Sequence, residues 1–318
     1  MGAIDTETKA YLSSPDKVAD AFNYFMYGGK NVIKPNELSP MDTTSVVLPY
    51  GNGKKQALQK IRDVLKLYTV MKGNDAYYLI LGIELQSHTH FSMPVRNMLY
   101  DAMSYAQQIN DIAKAHKEEC DKLSEHEFLS GITKNDSLMP VITLVINLSH
   151  EQWEGATSLH EMLSVKDKNI LAFVPNYKIN LLTPSNIDDK DFDKFRTELG
   201  TLMQFVKHKG DDNRDWMRGN KRFEEMNRET AELIKTITGA KIKITEKGEV
   251  VNMWVAYEND INKAKKDGER RGERRGERRG ENNMLMAIRM IKENKTFAEI
   301  GAKTGLAEQR LNELKAIL

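Results

Sequence analysis

The chain has a single cysteine, Cys120, among 318 residues. One cysteine excludes a disulfide framework and a zinc centre built from several cysteines of one chain, and it suits a reducing, cytoplasmic setting. Long hydrophobic runs are missing too. The longest, at 79–83 and 141–148, fall far short of the ~20 apolar residues that cross a bilayer, so no membrane span is expected. The opening Met1-Gly2-Ala3-Ile4-Asp5 has no basic stretch followed by an apolar one, which argues against a secretory leader. Neither sign of charge is in surplus: 47 Lys and Arg against 46 Asp and Glu leave a net charge of +1. Any attraction to nucleic acid must therefore come from local patches. Neither a Walker A phosphate loop nor a Gly-x-Gly-x-x-Gly turn occurs, so no nucleotide cofactor is expected. His160-Glu161 lacks the second histidine of a zinc protease. Trp153, Trp216 and Trp254 are not interleaved with basic residues as base-stacking platforms are.

What is present is α/β patterning. Residues 16–27 read as a helix with Ala19, Phe22, Phe25 and Met26 as its buried stripe, ended by Gly28-Gly29. Residues 31–40 read as loop, 45–49 as a strand, and Tyr50-Gly51-Asn52-Gly53 as a turn. Two strands, one around Asp63 and one ending at Gln86, are joined by the hairpin signal Lys72-Gly73-Asn74-Asp75. The second is apolar on both faces as far as Glu84, which reads as a buried central strand. A helix opens at Ser92 or Met93 with Pro94 in its first turn. Val95, Met98, Leu99, Ala102, Met103 and Ala106 keep its helical period. Further strands are expected at 140–148, 170–174 and 177–182, and amphipathic helices at 192–206 and 211–237. This order implies an α/β fold, a mixed sheet flanked by helices, with a C-terminal helical appendage.

That appendage follows a low-complexity repeat. Gly268-Glu269-Arg270-Arg271 recurs at 272–275 and 276–279 and closes with Gly280-Glu281. Its glycines, each costing about 1 kcal/mol against alanine in a helix, make it the segment expected to be most extended or mobile. It is either a solvated, partly helical linker or a phosphate-tracking arm, through Arg270, Arg271, Arg274, Arg275, Arg278 and Arg279. Residues 282–318 read as a helix-turn-helix-like tail. Thr296-Phe297-Ala298-Glu299 is a capping box, and Gly305 is a left-handed cap before a last helix from Ala307. The charges of that helix nearly cancel, so oligomerisation suits it as well as DNA reading does. The expected organisation is a core at 1–209, a helical segment at 210–266, the repeat at 267–281 and the tail at 282–318.

The chemistry resides in two acids and an amide. Asp63 lies in Lys60-Ile61-Arg62-Asp63-Val64-Leu65-Lys66-Leu67, where alternation puts it on a face with Leu65 and Leu67. Glu84 and Gln86 share a face with Tyr78 and Ile80. A carboxylate on an apolar strand face is costly unless something pairs with it, and a divalent metal is one such partner. The blander reading makes both acids solvent-facing strand ends. Asp63 and Glu84 as a glycosidase pair is a weaker alternative, because no aromatic sugar platform surrounds them. Arg96 is either a phosphate contact or the ion-pair partner of a core acid. His88 and His90 sit in the loop between.

These residues carry a family resemblance. Residues 16–25, Arg62-Asp63-Val64-Leu65, Ile83-Glu84-Leu85-Gln86-Ser87, Met93-Pro94-Val95-Arg96 with Tyr100 and Tyr105, and Pro140-Val141-Ile142-Thr143-Leu144-Val145 resemble the Rpn family. Trp153, Leu159-His160-Glu161-Met162-Leu163 and the Gly-Glu-Arg-Arg repeat continue the likeness. Members are recombination-promoting nucleases, also called YhgA-like putative transposases, in the PD-(D/E)XK superfamily. The resemblance implies a restriction-endonuclease-like fold and DNA cleavage dependent on magnesium or manganese. It puts Asp63 and Glu84 in the place of the two acids, Gln86 in that of the lysine, and Asp20 as an assisting metal acid. Two residues depart from the superfamily pattern: Arg62 replaces the proline, and Gln86 brings no charge.

Overall fold

The computed structural model of the protein describes residues 3–41, 45–47, 57–59, 63–72, 75–119, 124–209, 215–240, 244 and 248–318. The turn expected at 50–53 and the loop residues Gly73 and Asn74 lie outside them. Two compact units result, 1–253 and 254–318.

The first unit opens with α1 (Ala3–Leu12) and α2 (Pro15–Tyr27), followed by β1 (Leu38–Pro40), β2 (Ser45–Val47), β3 (Ala57–Gln59), β4 (Val64–Lys72) and β5 (Asp75–Gln86). Then come α3 (Met93–Glu118), α4 (Glu125–Ser130), β6 (Val141–Asn147), α5 (Leu159–Met162), α6 (Lys168–Leu171) and β7 (Asn180–Leu182). It closes with α7 (Leu199–Lys207), α8 (Lys221–Glu224), β8 (Met226–Asn227), α9 (Arg228–Thr238) and β9 (Val250–Val251).

The main sheet is mixed and runs β1-β4-β5-β6-β7. β5 is its middle strand, as the two-faced apolar run at 76–83 requires. β4 and β5 form the antiparallel hairpin, with Lys72 opposite Asp75. β5, β6 and β7 are parallel, with α3 and α4 in the first crossover. Ile80, Leu81, Ile83, Leu144, Val145 and Ile146 are buried together at the centre.

α3 departs from its expected apolar stripe. Val95 and Leu99 are exposed, whereas Asn97, Asp101, Ser104 and Gln108 are buried. The helix is fastened to the sheet by polar bonds. Thr143 Oγ1 donates to Asp101 Oδ1 at 2.7 Å, Tyr177 OH donates to Asp101 Oδ2, and Gln108 bonds both backbone groups of Met139. On α2 the stripe is likewise shifted: Val18, Ala19, Ala21 and Phe22 are buried, while Phe25 and Met26 reach solvent.

The helix expected at 192–206 is broken in two. A 3-10 turn covers Asp189–Lys194, and α7 starts only at Leu199. α2 causes the break. Its buried Asp20 accepts from Arg196 N at 2.9 Å, Thr197 N at 2.8 Å and Thr197 Oγ1 at 2.6 Å. Tyr24 stacks on Phe195 with ring centroids 4.1 Å apart. Gly200 permits the bend, since a Cβ there would lie 2.6 Å from Phe195 Cβ. The helix expected at 211–237 is also interrupted, by Gly219 at φ 71° and by β8. Residues 170–174 begin in the helical turn α6, capped by Asp167, and not in a strand. α9 packs on α7 and α1, so the described residues of 215–240 and 248–253 belong with the sheet unit and not to a separate helical segment.

The second unit consists of α10 (Met253–Lys292), whose first residue still belongs to the sheet unit, with α11 (Phe297–Thr304) and α12 (Glu308–Ile317). Ala287, Met290, Ile300, Leu311 and Leu314 form its core. Thr296 and Glu299 make the expected capping box, and Gly305 takes the left-handed cap at φ 70°. The Gly-Glu-Arg-Arg repeat is not extended: it lies inside the 40-residue helix α10. Arginine and glutamate are good helix formers and offset the glycines.

Hydrogen bonds to a charged acceptor are worth about 1.5–3 kcal/mol each, so Asp20→Ala should lower the urea unfolding free energy by about 3 kcal/mol. A loss below about 0.5 kcal/mol, the range of an inert surface change, would show that the 195–200 bend holds itself. Gly272 and Gly276 have open space where a Cβ would point. Replacing both with alanine should stabilise α10 by up to about 1 kcal/mol per site, read by circular dichroism during melting.

Candidate functional site

The site is set by strand register. Val64 pairs with Ile83 in the antiparallel hairpin. Asp63 immediately precedes β4, so the same register carries it opposite Glu84. Residues directly opposite in an antiparallel pair project to the same face. Gln86, two residues further along β5, shares that face. So does Val145, the β6 partner of Glu84, which packs against Met93 at the start of α3. Both acids and the amide therefore lie at the C-terminal end of β5, on the sheet face that α3 covers.

The two acids differ in environment. Glu84 is fully buried at 0 % exposure. Its Oε2 lies 3.2 Å from Arg96 Nη2. Arg96 in turn donates Nε–H to Tyr100 OH at 2.8 Å. Burial by itself would pull the Arg96 pKa down. The charge of Glu84, the Tyr100 hydrogen bond and the charge of Asp63 outweigh it and hold the guanidinium above its ordinary value. Arg96 thus takes the ion-pair role. Asp63 is partly exposed: its Oδ2 accepts from Leu85 N at 3.0 Å, and its Oδ1 lies 4.0 Å from Lys9 Nζ. A side chain here meets a backbone donor near the end of the hairpin ladder.

Asp20 is buried rather than an exposed helix acid, and both its oxygens are committed to the backbone at 196–197. It caps the bend before α7. His88 Nδ1 bonds Ser87 Oγ, and His90 Nδ1 bonds Ser92 Oγ. Among the described residues no three His, Cys, Asp or Glu side chains form a metal-binding group. What the site offers a cation is two carboxylates and the Gln86 amide oxygen. That all-oxygen set fits magnesium or manganese, which are commonly held by one or two protein carboxylates and keep several waters.

The polar neighbours Lys9 and Asn97 carried no signal in their local sequence. Asn147 pairs in register with Gln86 and is buried. Its Oδ1, and both polar side-chain atoms of the buried Asn97, find no hydrogen-bond partner among the described residues. An asparagine closing the apolar run 141–147 was the readable clue for Asn147. Arg270, Arg271, Arg274, Arg275, Arg278 and Arg279 are all exposed on α10. In a helix a four-residue period advances by about 40° per repeat, so these arginines form two slowly winding rows. A polar cavity of about 420 Å³ in the first unit is lined by Lys17, Arg196, Thr197 and Glu198 among others, but by neither site acid.

Tyr100→Phe removes the acceptor for Arg96 Nε and should cost about 1 kcal/mol of stability. Urea denaturation checks this, and no change would mean that Glu84 alone orients the guanidinium.

Comparison of the chain with protein-family models, with curated proteins and with solved structures found no match.

Proposed function

We propose that the protein is a divalent-metal-dependent DNA endonuclease of the recombination-promoting nuclease type, acting in the cytoplasm on a restriction-endonuclease-like sheet. The observation that carries this reading is the β4–β5 register, which sets Asp63 opposite Glu84 with Gln86 on the same face. The order of antiparallel hairpin, helix and parallel strand supports the fold assignment. The resemblance of Glu84-Leu85-Gln86-Ser87 and Met93-Pro94-Val95-Arg96 to the Rpn family supports the chemistry.

Asp63 and Glu84 would hold the cation, and Gln86 would orient the attacking water through its amide. Bound magnesium or manganese supplies a lowered water pKa and a charge clamp on the phosphoryl oxygens. Gln86 has no charge with which to shift that pKa. Arg96, in the first turn of α3, is placed to meet the anionic phosphate once it leaves Glu84. The exposed arginines of α10 would add a sequence-independent share of DNA affinity.

One observation favours a second reading. Glu84 is already neutralised by Arg96, and Asp63 already accepts from the Leu85 amide. Those contacts suit a catalytically degenerate protein that binds DNA or a partner on the same fold. Cleavage separates the two readings. Purified protein should nick or cut DNA with magnesium or manganese and be silent in EDTA. Asp63→Ala and Glu84→Ala should each lower cleavage by orders of magnitude with DNA affinity retained, since a metal ligand acts mainly on the transition state. Equal loss of folding and binding in both variants would make the acids structural.

The arginine rows have their own test. Changing all six to glutamine should flatten the salt dependence of DNA binding, by about 0.9 in the log–log slope for each phosphate the arginines no longer neutralise. An unchanged slope would make the repeat a spacer.

A further inference from the structure

We propose that Arg96 is a latch on Glu84: its guanidinium pairs with the carboxylate, and a divalent cation gains that carboxylate only when Arg96 lets go. This rests on the metal-site reading above and adds what closes the site.

An ionised carboxylate with no access to water needs a positive charge beside it. Glu84 has 0 % exposure, and Arg96 Nη2 lies 3.2 Å from its Oε2. A guanidinium and a divalent cation on the same carboxylate repel each other, so the two occupants compete. Arg96 is built to leave. Its side chain keeps 35 % exposure, which gives it the route to solvent that Glu84 lacks. Its Nε is tied to Tyr100 OH on the same helix, which steadies the stem while the far end of the fork faces Glu84. The cation beside Asp63 is held more loosely. Lys9 stands 4.0 Å away, and both side chains of that pair are partly exposed. Of these two cations the tight one sits on the buried ligand. When a binding-competent state is only fractionally populated, the apparent affinity falls by that fraction. Arg96 thus sets the cation concentration at which the site fills. Once released, it remains tethered one helical turn from Tyr100, beside the acids, where a phosphodiester oxygen replaces the carboxylate it has left.

The test uses the full chain without DNA. Manganese binding by calorimetry and melting points in EDTA and in manganese are compared for wild type, Arg96→Met and Lys9→Met. Arg96→Met should melt below wild type in EDTA, because it removes the guanidinium beside a buried carboxylate. Manganese should raise its melting point more than that of wild type. Its manganese affinity should be about tenfold tighter or more, because the closed fraction is gone. Lys9→Met also removes a positive charge beside the acids, yet should tighten binding far less. If Arg96→Met does not fold without metal, the double variant Glu84→Gln/Arg96→Met buries no charge and should fold, binding no manganese. A double variant as unfolded as Arg96→Met would make Arg96 a packing residue and overturn the latch. Arg96→Met affinity equal to wild type, or shifted no more than by Lys9→Met, overturns the latch and leaves the metal site standing. Absence of manganese binding in both wild type and Arg96→Met overturns the latch and the endonuclease reading together.

Discussion

A buried carboxylate at the end of a central strand cannot stand without a counter-charge, and Glu84 imposes that condition on its surroundings. The chain must turn back after Gln86 and start α3 over the same sheet face, so that Arg96 arrives within ion-pair distance. Once α3 lies there, its remaining inward positions face the sheet as well. Asp101 ties to Thr143 on β6 and to Tyr177 ahead of β7, and Gln108 ties to Met139 just before β6. One charge pair and a row of polar bonds thus align β5, α3 and β6. A helix fastened in this way has little need of a continuous apolar stripe, and Val95 and Leu99 are left outside.

Asp20 plays the corresponding part on α2. Its oxygens gather the 196–197 amides, Tyr24 stacks on Phe195, and Gly29 lets the Lys194 backbone approach to where a Cβ would sit 2.6 Å from its carbonyl oxygen. Two contacts from α2 and one from the glycine turn that ends it convert a stretch with helical periodicity into a turn, a bend and a shorter helix. An acid that the family resemblance would assign to a metal is here the cap that makes α7 begin where it does. Glu84 and Asp20 are both buried acids, yet one faces a guanidinium and the other a set of backbone donors. A metal could replace a side-chain guanidinium but not backbone amides fixed by the fold, and for that reason the proposed chemistry is placed on Glu84.

Helical periodicity, turn chemistry and capping boxes are local, and local features were legible. The middle position of β5, the antiparallel pairing of β4 with β5, the start of α3 at Met93, the Thr296 box and the Gly305 cap all follow from neighbours in the chain. So did the candidacy of Asp63, Glu84 and Gln86, because a polar residue in an apolar strand is conspicuous in one dimension. The break at 195–198 was not legible, because its cause is Asp20, 176 residues away. The repeat, expected as a partly helical linker and the most extended or mobile segment, is a continuous helix, and its extent was under-read for a different reason. Glycine spacing was weighed more heavily than the arginine and glutamate between the glycines, which propagate a helix already begun on either side.

The sequence by itself determined the mixed α/β composition, the presence of two acids and an amide within one hairpin, and a compact helical tail, since each depends on short-range pattern alone. The tertiary structure decided what those acids meet. Strand register carries Asp63 opposite Glu84, and the crossover helix delivers Arg96 to the buried one and leaves Lys9 near the exposed one. Electrostatic partnership depends on separations of a few ångströms between elements distant in sequence, and such distances exist only once the chain has folded.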